Sequence, residues 1–263
     1  MRIGFFQFYP HHGNSSANLR AIEEALEGSE FDLLVLPELA STGYLFDDRD
    51  ELDALSEPAS GSGVYLSGLS ALAACHNACI VSGFSERAPE GLFNSAAAVD
   101  GNGVLSVYRK VHLFNTEKEL FTPGDKGFPV FSFRGVCLGM MVCFDWVFPE
   151  VARTLALKGA QILCHPANLV LPWCQTAMVT RSLENAVFSI TANRIGMENG
   201  QGLSLRFTGK SQILSPKGGI LAQAGEDDQA LQIIEIDPKQ ALNKRFGTGN
   251  DLFADRQPEQ YQL

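Results

Sequence analysis

Short apolar runs of strand length alternate with segments of helical spacing along most of the chain. Strand-like runs lie at 3–8, 31–36, 78–85, 95–99, 104–111, 135–143, 160–166, 188–193, 210–214, near 220 and at 231–236. Helical spacing marks 18–26, 62–76, a segment from Pro149 to about residue 158, and 176–185. Asp100-Gly101-Asn102-Gly103 supplies the chemistry of a tight hairpin turn. Strand–helix steps call for parallel neighbours and a hairpin for antiparallel ones, so the sheets are mixed. So many short strands suggest two sheets, packed face to face with helices outside. The expected class is α/β.

Nothing marks a seam in the 263 residues: there is no Ser/Gly/Pro linker, repeat or low-complexity tract. Residues 1–263 therefore read as a single domain, with 246–263 as a polar tail of little periodicity. No apolar run approaches a membrane span, and the first residues read as a strand rather than a leader, which suggests the cytoplasm. A net charge of −10 without a basic cluster disfavours nucleic-acid and anionic-membrane partners. The six cysteines sit in a chain too large to need disulfides. Cys75 and Cys79 have the i, i+4 spacing of one helix face, without a second pair at zinc-site spacing, and Cys137 and Cys164 read as core. His11-His12 has no acidic or cysteine neighbour in sequence, so no metal and no cofactor is expected. Thr208-Gly209-Lys210-Ser211 imitates the end of a phosphate loop, but Ser204 stands where the first glycine is required.

Three reactive side chains end apolar runs. Glu38 follows Leu33-Leu34-Val35-Leu36-Pro37, Lys110 ends Val107-Tyr108-Arg109-Lys110, and Cys143 ends the run from 135. Strand ends are where ligands gather in α/β folds. Cys143 precedes Phe144-Asp145-Trp146-Val147-Phe148-Pro149-Glu150 and so occupies a strand-to-helix turn, where exposed backbone N–H groups favour a thiolate. Taken singly, each residue has a plain structural explanation: a buried cysteine, a loop acid, a surface cation. Together they fit acyl transfer at a C–N bond, with Cys143 as nucleophile, Glu38 as proton carrier and Lys110 as oxyanion stabiliser. His112, also at a strand end, and more weakly His165 keep a Cys–His hydrolase open as a rival.

Leu36-Pro37-Glu38-Leu39, Tyr108-Arg109-Lys110-Val111-His112-Leu113-Phe114 and Val142-Cys143-Phe144-Asp145 resemble, in order, the signature segments of the nitrilase (carbon–nitrogen hydrolase) superfamily. Phe121-Thr122-Pro123-Gly124-Asp125, Phe148-Pro149-Glu150, His165-Pro166-Ala167-Asn168, Leu183-Glu184-Asn185 and the segment 207–216 extend the likeness over nearly the whole chain. The stretch beginning Cys143-Phe144-Asp145-Trp146 most resembles small bacterial and archaeal nitrilase-like amidases. The resemblance implies a four-layer αββα sandwich of two mixed β-sheets. It implies catalysis by Glu38, Lys110 and Cys143 without cofactor or metal, and a second glutamate, Glu117 or Glu119, of which Glu117 has the better spacing to Asp125. Phe144 supplies an oxyanion N–H, and Asn168 and Tyr44 are expected in the substrate pocket. The implied reaction is hydrolysis of a small amide through a Cys143 thioester; nitrile hydrolysis by the same residues and a non-catalytic binding or scaffold protein are the alternatives. Trp146 and Val147 replace the arginines with which carbamoyl-amino-acid hydrolases hold a carboxylate, unless Arg181 or Arg194 substitutes. A homodimer or larger even-numbered assembly is implied, through the helix after Cys143 and the segment 176–185, with the tail crossing over. The apolar residues Leu169, Val170, Leu171 and Trp173 serve either that interface or the roof of the site.

Overall fold

The computed structural model describes residues 1–200 and 202–261. The chain opens with β1 (Arg2–Gln7), α1 (Ser15–Leu26) and β2 (Leu33–Val35), followed by α2 (Arg49–Leu55), α3 (Val64–His76), β3 (Cys79–Ala88), β4 (Gly91–Asp100) and β5 (Gly103–Arg109). A single-turn α4 (Glu117–Leu120) leads to β6 (Val130–Phe133) and β7 (Val136–Met140). Then come α5 (Pro149–Leu157), β8 (Ile162–Pro166), α6 (Cys174–Asn185), β9 (Phe188–Ala192), the paired β10 (Met197–Gly200) and β11 (Leu203–Arg206), and β12 (Gln212–Leu214), β13 (Ile220–Gln223) and β14 (Ala230–Glu235).

Two six-stranded mixed sheets result, in the orders β14-β1-β2-β3-β4-β5 and β13-β12-β9-β8-β7-β6. Period-2 alternation decides which face each side chain covers. Ile3, Phe5, Leu33 and Val35 join Leu138, Met140, Ile162 and Cys164 in the core between the sheets, which also takes in Val151, Leu155 and Met178 from α5 and α6. Phe6, Leu34 and Leu36 face the other way and pack with Ile22, Leu26, Leu66 and Leu69 of α1 and α3. The helices are placed by their ends: Asn14 and Asp48 cap α1 and α2 with their side chains, Asn77 closes α3 in the left-handed region, and Pro149 opens α5.

Sequence reading missed α2, β6 and the β10–β11 pair, which are short or mixed in polarity. It also placed Cys75 and Cys79 on one helix face. The left-handed Asn77 ends α3 between them, so Cys75 lies exposed on the helix while Cys79 is buried in β3. The tail is not featureless: Arg245–Phe246 pairs with Asn250–Asp251, and Phe253 packs against the main core, with Arg153 and Lys244 over its ring. Among the described residues no helix is long and apolar enough to cross a membrane.

Candidate active site

Cys143 follows β7 of one sheet and Glu38 follows β2 of the other, while Lys110 is the residue after β5. Glu38 is tied to β3 by Leu36 N–H to Val81 O and Gly83 N–H to Pro37 O. Position 83 must be glycine, because a Cβ there would lie 2.4 Å from Glu38 Cα. Lys110 is clamped by its N–H to Asn94 O and by Gly124 N–H to its own carbonyl.

Far from being a surface cation, Lys110 is 1% exposed and Glu38 0%. Lys110 Nζ donates to Glu38 Oε1 at 2.7 Å and to both oxygens of Glu117 at 2.8 Å. Asn94 Nδ2 donates to the same Glu38 oxygen at 2.7 Å, while Glu38 Oε2 is buried with no partner among the described residues. Of the two glutamates that follow, Glu119 is exposed and Glu117 is buried against Lys110. Phe114 N–H and the Tyr44 hydroxyl, at 3.1 and 2.6 Å, complete the shell of Glu117. Burial disfavours the Lys110 cation, but the Glu117 and Glu38 carboxylates outweigh it and hold the ammonium above its ordinary range. Burial raises Glu117, with Lys110 opposing.

Cys143 has φ 42°, a left-handed backbone at a non-glycine residue, and begins a short 3₁₀ turn, Cys143–Val147, ahead of α5. Asp145 staples that turn, accepting Val142 N–H at 2.8 Å, the Tyr108 hydroxyl at 2.7 Å and His112 Nδ1 at 2.7 Å. His165 Nε2 donates to the Cys143 carbonyl at 3.0 Å, leaving Nδ1 to accept from Thr191 in the neutral tautomer, which burial favours. Both histidines thus hold the backbone around the thiol, and a Cys–His pair is not what the fold assembles. The expected thiolate is also overturned. Burial first, then the Glu38 carboxylate, pushes the thiol well above its usual range, and Lys110 and the N–H of Asn168 offset this only in part.

Phe114, Phe144, Trp146, Asn168, Leu169, Val170 and Leu171 surround Cys143, leaving about 10 Å³, room for about one water. The 169–171 segment therefore roofs the site, while Trp173 stands 61% exposed outside it. Phe144 and Asn168 both line the cavity, and both side-chain amide atoms of Asn168 are buried with no partner among the described residues. Tyr44 does not line this space but sits behind it on Glu117. Neither arginine considered as a carboxylate clamp reaches the cavity: Arg181 bonds Glu184 and the carbonyls of Trp146 and Val147, and Arg194 is buried on Glu198. Asn94 and Asp145 escaped sequence analysis as contributors; a strand-averse Asn inside β4 was the one faint signal for the former. His12, bare in sequence, meets Glu51 and Glu198 in space, yet no group of three His, Cys, Asp or Glu side chains among the described residues could hold a metal ion.

The carbon–nitrogen hydrolase family model matches residues 9–245. The chain belongs to that family. A protein named nitrilase from Pyrococcus abyssi is 43% identical to this hydrolase over 252 residues, 96% of this chain and 94% of that protein. The solved structure of an amidase from Nesterenkonia sp. matches with a TM-score of 0.80 at 27% identity, covering 99% of this chain and 94% of that one. A glutamate-to-glutamine variant of that amidase, with a TM-score of 0.78, 26% identity and coverage of 99% and 95%, carries the acetamide moiety of fluoroacetamide covalently on its active-site cysteine. The two mixed sheets and flanking helices of this hydrolase are thus the nitrilase-superfamily fold.

Proposed function

We propose that this hydrolase cleaves small uncharged amides to a carboxylic acid and ammonia through a thioester on Cys143. The observation that carries the reading is the free Oε2 of Glu38, a buried acceptor beside a neutral thiol, with the Lys110 ammonium on the other carboxylate oxygen. Cys143 Sγ attacks the carbonyl carbon as its proton passes to Glu38. Lys110 Nζ and the N–H of Phe144, in the first turn of the 3₁₀ segment, hold the oxyanion. Collapse breaks the C–N bond, and Glu38 returns the proton to the departing ammonia. Water, deprotonated by Glu38, then hydrolyses the thioester and restores the thiol. Glu117 orients Lys110, and the Asn168 amide is free to bond a polar group of the substrate. The apolar walls of the cavity, Phe114, Phe144, Trp146 and Leu171, suit an uncharged acyl group. The loop 169–171 must yield to admit more than a few atoms.

The name of the Pyrococcus relative supports a second reading, nitrile hydrolysis through a thioimidate on the same sulfur. An amide can donate N–H to Glu38 Oε2 and a nitrile cannot, which favours the first. Intact-protein mass spectrometry and product analysis on matched short amides and nitriles decide between them. Acid and ammonia from the amide, with an acyl adduct lost in Cys143→Ala, support amide cleavage. Turnover of the nitrile alone would overturn it, and full activity of Cys143→Ala would overturn both. We also read the chain as a cytoplasmic homodimer formed through α5 and α6, on whose flank Leu183, Leu242 and Phe246 are exposed.

A further inference from the structure

Behind Tyr44 lies a charge cluster that the reaction above does not touch. Glu198, the second residue of β10, is 4% exposed. Its Oε1 accepts the backbone N–H of Tyr44 at 2.7 Å and of Leu45 at 2.6 Å, and His12 Nδ1 lies 3.3 Å from the same oxygen. Its Oε2 takes Arg194 Nη1. Arg194 is wholly buried, stacked 4.1 Å over the Phe207 ring, on whose other contact Tyr44 packs edge-on. His12 Nε2 reaches outward to Glu51 Oε1 at 2.9 Å, and its ring tilts against Phe46. The backbone follows this design: Gly43 has φ 84°, and a Cβ there would come within 3.0 Å of His12 Nδ1 and 3.2 Å of Glu198 Oε1.

A buried carboxylate is costly unless paired, and this one is saturated by an arginine, a histidine and two amides. Burial raises its proton affinity, but the His12 hydrogen bond, Arg194 and the two N–H groups prevail and hold its pKa at about 2. His12 is lifted to about 9, chiefly by its hydrogen bond to Glu198. What that charge buttresses is a two-residue backbone segment whose hydroxyl donates to Glu117 Oε1, an oxygen that Lys110 Nζ also contacts.

We propose that Glu198, held by Arg194 and His12, is a positioning residue for the hydrolytic reaction: it fixes the backbone at 44–45 so that the Tyr44 hydroxyl orients Glu117 and thereby the Lys110 ammonium. The proposal rests on the reading of Cys143, Glu38 and Lys110 as the reacting set. Uniform scaffolding would act equally on every property of the enzyme, whereas positioning acts on the chemical step and only through Tyr44.

The test is a double-mutant cycle of Glu198→Gln and Tyr44→Phe, reading kcat and KM for a confirmed amide on protein whose melting curve shows it folded, with Cys143→Ala as control. Misplacing a group that acts on the oxyanion lowers kcat roughly 10- to 100-fold, with KM little changed. Each single variant is expected to show this, and the double variant to lie within about 3-fold of the worse single. Effects that multiply, or a change in KM alone, overturn the positioning role. Where Glu198→Gln does not fold, His12→Asn removes only the outer partner of the carboxylate. It is expected to lower kcat in the wild-type background and not in Tyr44→Phe; equal losses in both overturn the proposal. An active Cys143→Ala would instead refute the underlying site, so the two failures are distinguishable.

Discussion

Lys110→Met is the sharpest perturbation of the buried triad, because it removes the cation that two carboxylates share. With Nζ 2.7 Å from Glu38 Oε1 and 2.8 Å from Glu117 Oε2, those two oxygens lie at most about 5.5 Å apart, and at an effective dielectric near 20 two charges repel there by about 3 kcal/mol. Lost charge-assisted hydrogen bonds add to this, so the expected destabilisation at neutral pH is about 3–5 kcal/mol, the usual cost of orphaning a buried ion. Its pH dependence has a definite sign. Burial already raises Glu117, and Lys110 is what opposes that shift, so the variant raises it further. A carboxyl whose folded pKa lies above its unfolded value near 4.3 contributes stability at low pH and loses it as pH rises through the folded pKa. The deficit of Lys110→Met should therefore be largest at about pH 7.5 and shrink toward about pH 5 as Glu117 takes up a proton. Urea unfolding followed by circular dichroism at both pH values measures it, and Lys110→Met/Glu117→Gln should recover much of the loss at the higher pH. Equal deficits at the two pH values, or a double variant no more stable than the single, would refute the reasoning.

Glu38→Gln should separate reactivity from catalysis. After burial, the Glu38 carboxylate is the largest influence raising the Cys143 thiol. Its removal should speed iodoacetamide alkylation of Cys143 near neutral pH while kcat falls by about 10²–10⁴; a kcat within about tenfold of the parent enzyme would count against the proton-carrier role. His112→Asn breaks the bond to Asp145 and the stacking 3.8 Å from Phe148, so it should lower stability by about 1–2 kcal/mol and kcat by less than about tenfold. A thousandfold loss on the order of a missing base, without change in melting, would restore the Cys–His alternative. Light scattering at micromolar concentration should return a dimer mass, and a monomer would remove the assembly proposed through α5 and α6.

The legible parts of the site were those written in local sequence. Glu38, Lys110 and Cys143 each end an apolar run, and the Asp100–Gly103 turn announced the hairpin that delivers Lys110. What stayed hidden depends on contacts between distant segments. Glu198 meets the backbone of Tyr44 across 154 positions, and Asn94 meets Glu38 across 56. No periodicity encodes either contact. Exposure misled as well: a lysine at a strand end reads as solvated until a second sheet and the α4 turn close over it. The thiol's state was misjudged for a related reason. A strand-to-helix turn favours thiolate through local N–H groups, but burial and two carboxylates from other segments prevail.

The pairing of β14 with β1 has a consequence for how the chain is made. Residues 2–7 bond in register to residues 230–235, and the Met1 amino group donates to Ile236 O. The second sheet, by contrast, is drawn wholly from residues 130–223, an uninterrupted stretch. At roughly 5–20 residues per second, β1 waits on the order of 10–50 s on the ribosome before its outer neighbour emerges. Throughout that interval one edge of an apolar strand stands unpaired, and so large a loop closes late and slowly. Nascent chains stalled before residue 230 should therefore associate through β1, and a chaperone or the emerging second sheet has to shield that edge until residues 230–235 emerge.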